Sequence, residues 1–106
     1  VNAKLVSRLL PSTANTVLYT CPNQAFAAIS SLSLCNVTTS VVTVRVFHTT
    51  PTEIAGTSTA IVYDLFIRPN STTILEIMLA MRQGDQLVAQ CSTASSVCVI
   101  AYGSIQ

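Results

Sequence analysis

Four cysteines, one histidine and four carboxylates carry most of the reactive chemistry available to this chain. Cys91 and Cys98 bracket the stretch "STASSV" and are separated by six residues, and Cys21 and Cys35 by thirteen. Zinc sites favour ligand pairs about two to four residues apart, so neither spacing points to a metal. Four cysteines spread this widely do not make a disulfide scaffold, and they leave the redox compartment open. His48 is the lone histidine, with no acid beside it in the sequence. Nucleophilic catalysis requires a base oriented by a third group, and the sequence gives no sign that Asp64 or Asp85 reaches His48. Glu53, Asp64, Glu76 and Asp85 are dispersed and do not read as a glycosidase pair. Asp85 follows Gly84 and reads as a turn residue. Three glycines leave no phosphate-binding loop. Asn36-Val37-Thr38 and Asn70-Ser71-Thr72 match the glycosylation pattern, and both read as turns. No catalytic residue, cofactor or metal is expected.

The elements that would position these residues are strands. Val, Ile and Thr dominate, and such residues favour a pleated, half-buried backbone. Val42, Val44 and Val46 alternate with Thr43, Arg45 and Phe47. Ile74, Glu76 and Met78 alternate with Leu75, Ile77 and Leu79, so both faces of that segment carry apolar groups. Turn signals at Cys21-Pro22-Asn23, Asn36, Pro51, Gly56, Pro69-Asn70 and Gly84-Asp85 separate the runs. The strands expected are 3–10, 16–21, 27–35, 40–49, 60–67, 72–79, 86–92 and 96–104. Eight short strands with regular turns predict an all-β, antiparallel sandwich or jelly-roll-like domain spanning 1–106, with 1–11 an N-terminal arm or edge strand.

The last two strands are expected to form a hairpin, and its register decides the role of the cysteines. A two-residue loop would set Cys91 opposite Cys98. A three-residue loop would place Leu87, Ala89, Cys91, Val97, Val99 and Ala101 on one apolar face, which is the cleaner core. On that register Cys91 is a small core residue and Cys98, Ile100 and Tyr102 form an outward apolar stripe.

The chain has 106 residues, the size of one domain, and a formal net charge of +1. Five Lys and Arg do not make a nucleic-acid-binding face. Apolar runs all fall short of the roughly 18 residues of a membrane-spanning helix, and no secretory leader is expected. Charged residues make up only 8%, against about 25% in ordinary domains. A surface so poor in charge is weakly defended against association, so a subunit that buries much of its outside is expected. Candidate contact residues are Leu5, Leu9, Phe47, Cys98, Ile100 and Tyr102.

In this order, "TVLYTCP", "SLSLCN", "VTVRVF", "YDLFIRPNST", "QGDQLVAQ" and "VIAYGSI" resemble the pattern of a family of small structural proteins of tailed bacteriophages, from about Leu5 to Ile105. The sequence departs from that pattern at Cys21, at Asn23-Gln24, at Arg68-Pro69, and at Cys91 and Cys98. The resemblance implies a β-sandwich in the virion, assembled in the bacterial host cytoplasm. It implies a head cement or decoration protein, or a tail adaptor or fibre-base component, and no enzyme. Expected partners are further copies of itself, commonly as a trimer, and the major capsid protein or tail proteins. Nucleic acid and membrane are not expected partners. A carbohydrate-binding module for host attachment ranks behind these, because the chain has no Trp.

Overall fold

The computed structural model describes residues 3–10 and 13–105. Val1, Asn2 and Pro11, part of the expected N-terminal segment, lie outside the described residues. Eight strands follow one another: β1 (Ala3–Leu9), β2 (Thr16–Thr20), β3 (Ala27–Asn36), β4 (Val42–Thr49), β5 (Ala60–Ile67), β6 (Thr72–Met81), β7 (Gln86–Cys91) and β8 (Val97–Ile105). They build two four-stranded antiparallel sheets, ordered β1-β8-β3-β6 and β2-β7-β4-β5.

This order has a simple origin. β1 pairs with β8, β2 with β7, β3 with β6 and β4 with β5, as in one long antiparallel ribbon folded at the β4–β5 loop. Rolling that ribbon adds the pairings of β3 with β8 and β4 with β7, which close the two sheets. The result is a jelly roll. β1 lies at the edge of its sheet, beside β8.

Period-two patterning supplies the core. Leu32 and Leu34 of β3, Val42, Val44 and Val46 of β4, Leu87 and Ala89 of β7, and Val97, Val99 and Ala101 of β8 are all buried between the sheets. Burying one such aliphatic side chain contributes about 1.5–3 kcal/mol relative to exposure.

The expected β7–β8 hairpin is not formed. β7 lies in one sheet and β8 in the other, and residues 92–96 cross between them. Neither hairpin register therefore applies. Leu87, Ala89, Cys91, Val97, Val99 and Ala101 still share the core, because the two strands turn them inward from opposite sides. Cys98, Ile100 and Tyr102 point outward.

Each edge strand carries a register shift against its neighbour. Bulges of this kind twist an edge away from strand-to-strand pairing. In β1 the extra residue is Leu5, whose side chain packs against the core. In β3 it is Ser30 relative to β8, and its hydroxyl donates to the Tyr102 carbonyl at 3.2 Å. That bulge presses the Ala28 carbonyl onto Gly103, where a Cβ would overlap the carbonyl oxygen and crowd the Ile29 backbone. Only glycine tolerates so close a backbone approach.

Two substitutions test this core in thermal or urea unfolding. Gly103→Ala should destabilise by about 3 kcal/mol, since backbone must move to admit the methyl group. Val99→Asp should leave no folded monomer, because it buries an unpaired charge. Ile100→Asp, on the outer side of the same strand, should stay folded.

Candidate interaction surface

The ladder of the first sheet arranges its outer face in rows. One row is Leu9, Cys98, Cys35 and Thr72. The next is Ser7, Ile100, Ser33 and Ile74, and the third is Lys4, Tyr102, Ser31 and Glu76. Met78 stands beside the third row at the bulge, 95% exposed, and Ile74 is 65% exposed. Among the described side chains, Lys4 and Glu76 carry the only charges in these rows, at opposite edges. The face is therefore apolar and hydroxyl-rich across its middle. Ser33 and Ser31 of β3 stand between the exposed Ile74 of β6 and the apolar Ile100 and Tyr102 of β8.

Of the candidate contact residues, Leu9, Cys98, Ile100 and Tyr102 fall together on this face. Leu5 and Phe47 do not. The β1 bulge breaks the alternation that would align Leu5 with Leu9, and Leu5 packs inward instead. Phe47 points to the outer side of the second sheet next to Val88, yet it is only 2% exposed. Its alternation assigns a face but does not reveal that the face is covered there. Ile74 and Met78, which alternation puts on one face with Glu76 without saying which side it takes, belong to the surface more plainly than either.

The outer face of the second sheet has a different chemistry. In β5, Tyr63 and Asp64 together oppose the single residue Arg45 of β4. Asp64 adopts φ of 56°, an uncommon left-handed conformation for a residue other than glycine. The bulge aims both side chains at the guanidinium. Arg45 Nε donates to Asp64 Oδ1 at 2.6 Å and Nη2 to Oδ2 at 3.2 Å. Its guanidinium carbon lies 4.0 Å from the centroid of the Tyr63 ring. Hydrogen bonds from Arg45 hold the Asp64 carboxyl below its ordinary pKa, and the same bonds raise that of Arg45. Beside this clamp is a polar pocket of about 130 Å³ lined by Thr43, Arg45, Asp64, Gln90, Cys91 and Ser92. Phe66, next to Thr43 in register, is 72% exposed.

The two ends of the sandwich are built differently. At one end the fold unites residues that the sequence keeps apart: His48 Nε2 lies 3.0 Å from Asp85 Oδ2. That carboxylate oxygen also accepts the Arg82 backbone N–H at 3.1 Å. Asp85 is buried and ties the β6–β7 turn to β4. Among the described residues no hydroxyl or thiol is hydrogen-bonded to His48, and the His48–Asp85 pair orders the β6–β7 turn. Nearby, the Tyr19 hydroxyl is buried without a hydrogen-bond partner among the described residues, and burial raises its pKa. A shallow groove of about 500 Å³ at this end runs between Gln24, Phe26 and Arg82.

At the other end the organiser is Asn36, fully buried at the close of β3. Its Nδ2 donates toward the carbonyls of Ser40, Ile67 and Arg68 at 2.8, 3.1 and 3.2 Å. Its Oδ1 accepts from Thr38 N–H at 2.9 Å and Thr38 Oγ1 at 2.7 Å. The carboxamide thus fixes its own turn and straps it to the β5–β6 turn. No group of three or more metal-ligating side chains is present among the described residues. No described helix is long and apolar enough to cross a membrane.

Comparison with known proteins finds no matching protein-family model, curated protein or solved structure.

Asn36→Ala should destabilise by about 2–4 kcal/mol in urea unfolding, because it strands several buried polar groups. Asn36→Asp should cost more, since it sets a carboxylate against three carbonyl oxygens. Tyr19→Phe should be neutral or stabilising, by up to about 1 kcal/mol, since it removes an unsatisfied hydroxyl.

Proposed function

We propose that this protein is a non-enzymatic structural subunit of a virion, a cement or decoration protein of a bacteriophage head that works as a closed homo-oligomer, a trimer. The observation that carries the reading is the charge-poor, exposed apolar face of the first sheet. The bulged edges favour association through that face over strand addition. Jelly rolls serve in viral capsids, among other roles, which is support by analogy of fold alone. The sequence resemblance to phage structural proteins points the same way.

Light scattering after size exclusion tests the association. The wild-type chain should elute as a closed oligomer that persists in high salt, since apolar contacts are not screened. Ile74→Asp and Met78→Asp should give a folded monomer whose unfolding midpoint, unlike that of the wild type, does not vary with protein concentration. A wild-type monomer at all concentrations would remove the basis of the proposal. Copy number in purified virions separates head from tail. Roughly hundreds of copies indicate the head, and about six to eighteen an adaptor or fibre base, from the symmetries involved.

A second reading rests on the opposite sheet, where Tyr63 and Phe66 flank the Arg45–Asp64 pocket. Exposed rings beside fixed polar groups suit a saccharide, and the same subunit would then touch a host surface. Binding on a glycan array that is lost in Tyr63→Ala would support it. An array with no bound glycan would remove it.

A further inference from the structure

Cys35 and Cys98 are direct register partners on β3 and β8. Both thiols are free, half-buried and on the outer face of the first sheet. The ladder from Ser31↔Tyr102 to Asn36↔Val97 runs without a shift, so the pairing is fixed. The next pair along is joined by Val37 N–H donating to the Ser96 carbonyl at 2.9 Å. Bonded and unbonded pairs alternate along an antiparallel ladder, which makes Cys35–Cys98 a bonded pair with its Cα atoms about 5.5 Å apart. Disulfides span Cα separations of about 4.4–6.8 Å. Directly opposed Cβ atoms lie about 4.5–5.5 Å apart, however, and a disulfide draws them to about 3.5–4.5 Å. Closure therefore needs a small inward shift and yields a strained, readily reduced bond.

The other two cysteines are placed differently. Cys21 and Cys91 are buried. The strand partner of Cys91 on β4 is Val44, and the Cys21 thiol meets the carbonyls of Ala25 and Met81.

We propose that Cys35 and Cys98 form a reversible cross-strand disulfide by exchange with a low-molecular-weight disulfide such as oxidised glutathione. One protein thiol loses its proton, and its sulfur attacks the small disulfide and expels one thiolate. The second protein thiolate attacks the resulting mixed disulfide and expels the other. The protein loses two electrons and two protons, and the small disulfide is reduced to two thiols. The bond spans residues 35 to 98, more than half the chain, and staples the two central strands of the first sheet. It forms in the monomer, where the outer face is open to the small disulfide. The inference stands on strand register and does not depend on the proposed function.

Reduced wild type and the Met78→Asp variant are incubated, dilute, with oxidised glutathione, acid-quenched and analysed by intact and peptide mass spectrometry. The variant keeps the test independent of self-association. Both proteins should lose two hydrogens and give one linked peptide pair containing Cys35 and Cys98. Cys35→Ser and Cys98→Ser should stop at a single glutathione adduct on the remaining outer cysteine. Oxidation should raise the thermal midpoint of the monomer by about 10 °C, and dithiothreitol should return it. Stable adducts on both outer cysteines, a linkage between two chains, or an unchanged midpoint after linkage would each overturn the proposal.

Discussion

One apolar slab is shared by two sheets, and the rest of the molecule is arranged to keep it dry. Each strand adds alternate side chains to the slab, so a slip of one residue would exchange inside for outside. The rolled ribbon satisfies this demand twice. Each of the four central strands, β8, β3, β7 and β4, is held on both sides, and its inward residues meet the opposite sheet. Asn36 and Asp85 then clamp the turns at the two ends with buried and partly buried hydrogen bonds. Polar groups appear in the interior only where their bonding capacity is used, with the Tyr19 hydroxyl the exception among the described residues.

Much of this was legible in the sequence, because alternation reports directly on burial. The eight strands fall within a few residues of those expected, and the inward set of β4, β7 and β8 is as the pattern assigns it. What alternation does not encode is the neighbour. β7 and β8 follow each other across a short turn and share apolar patterning, which fits a hairpin and a sheet-to-sheet crossing equally well. The inserted Leu5 reverses a face without leaving a mark in the pattern. The His48–Asp85 contact and the straps of Asn36 join residues distant in sequence, and Asn36 read as an ordinary turn residue beside a glycosylation pattern. Phe47 has the right spacing for an outer position, but what lies over it is set by the fold.

The two outer faces divide the chemistry. The first sheet offers apolar and hydroxyl groups with charge only at its edges, among the described side chains. The second concentrates a fixed ion pair, two exposed rings and a small polar pocket where a β-bulge turns Tyr63 and Asp64 to the same guanidinium. A subunit that docks through one face would leave the other available. Among the described side chains each face carries two charges, ion-paired on the second sheet and set at opposite edges of the first.

Amide hydrogen exchange across a dilution series tests the central claim most directly, that the inner slab and its end clamps hold the monomer's fold while the outer face of the first sheet is free to dock. Added protection at high concentration should fall on the first sheet, most of all on its edge strands β1 and β6. The second sheet should gain no local protection, and the core amides should be protected even in the most dilute sample. Protection that instead grows along β5 and β2, or a core that is protected only in the concentrated sample, would contradict the account.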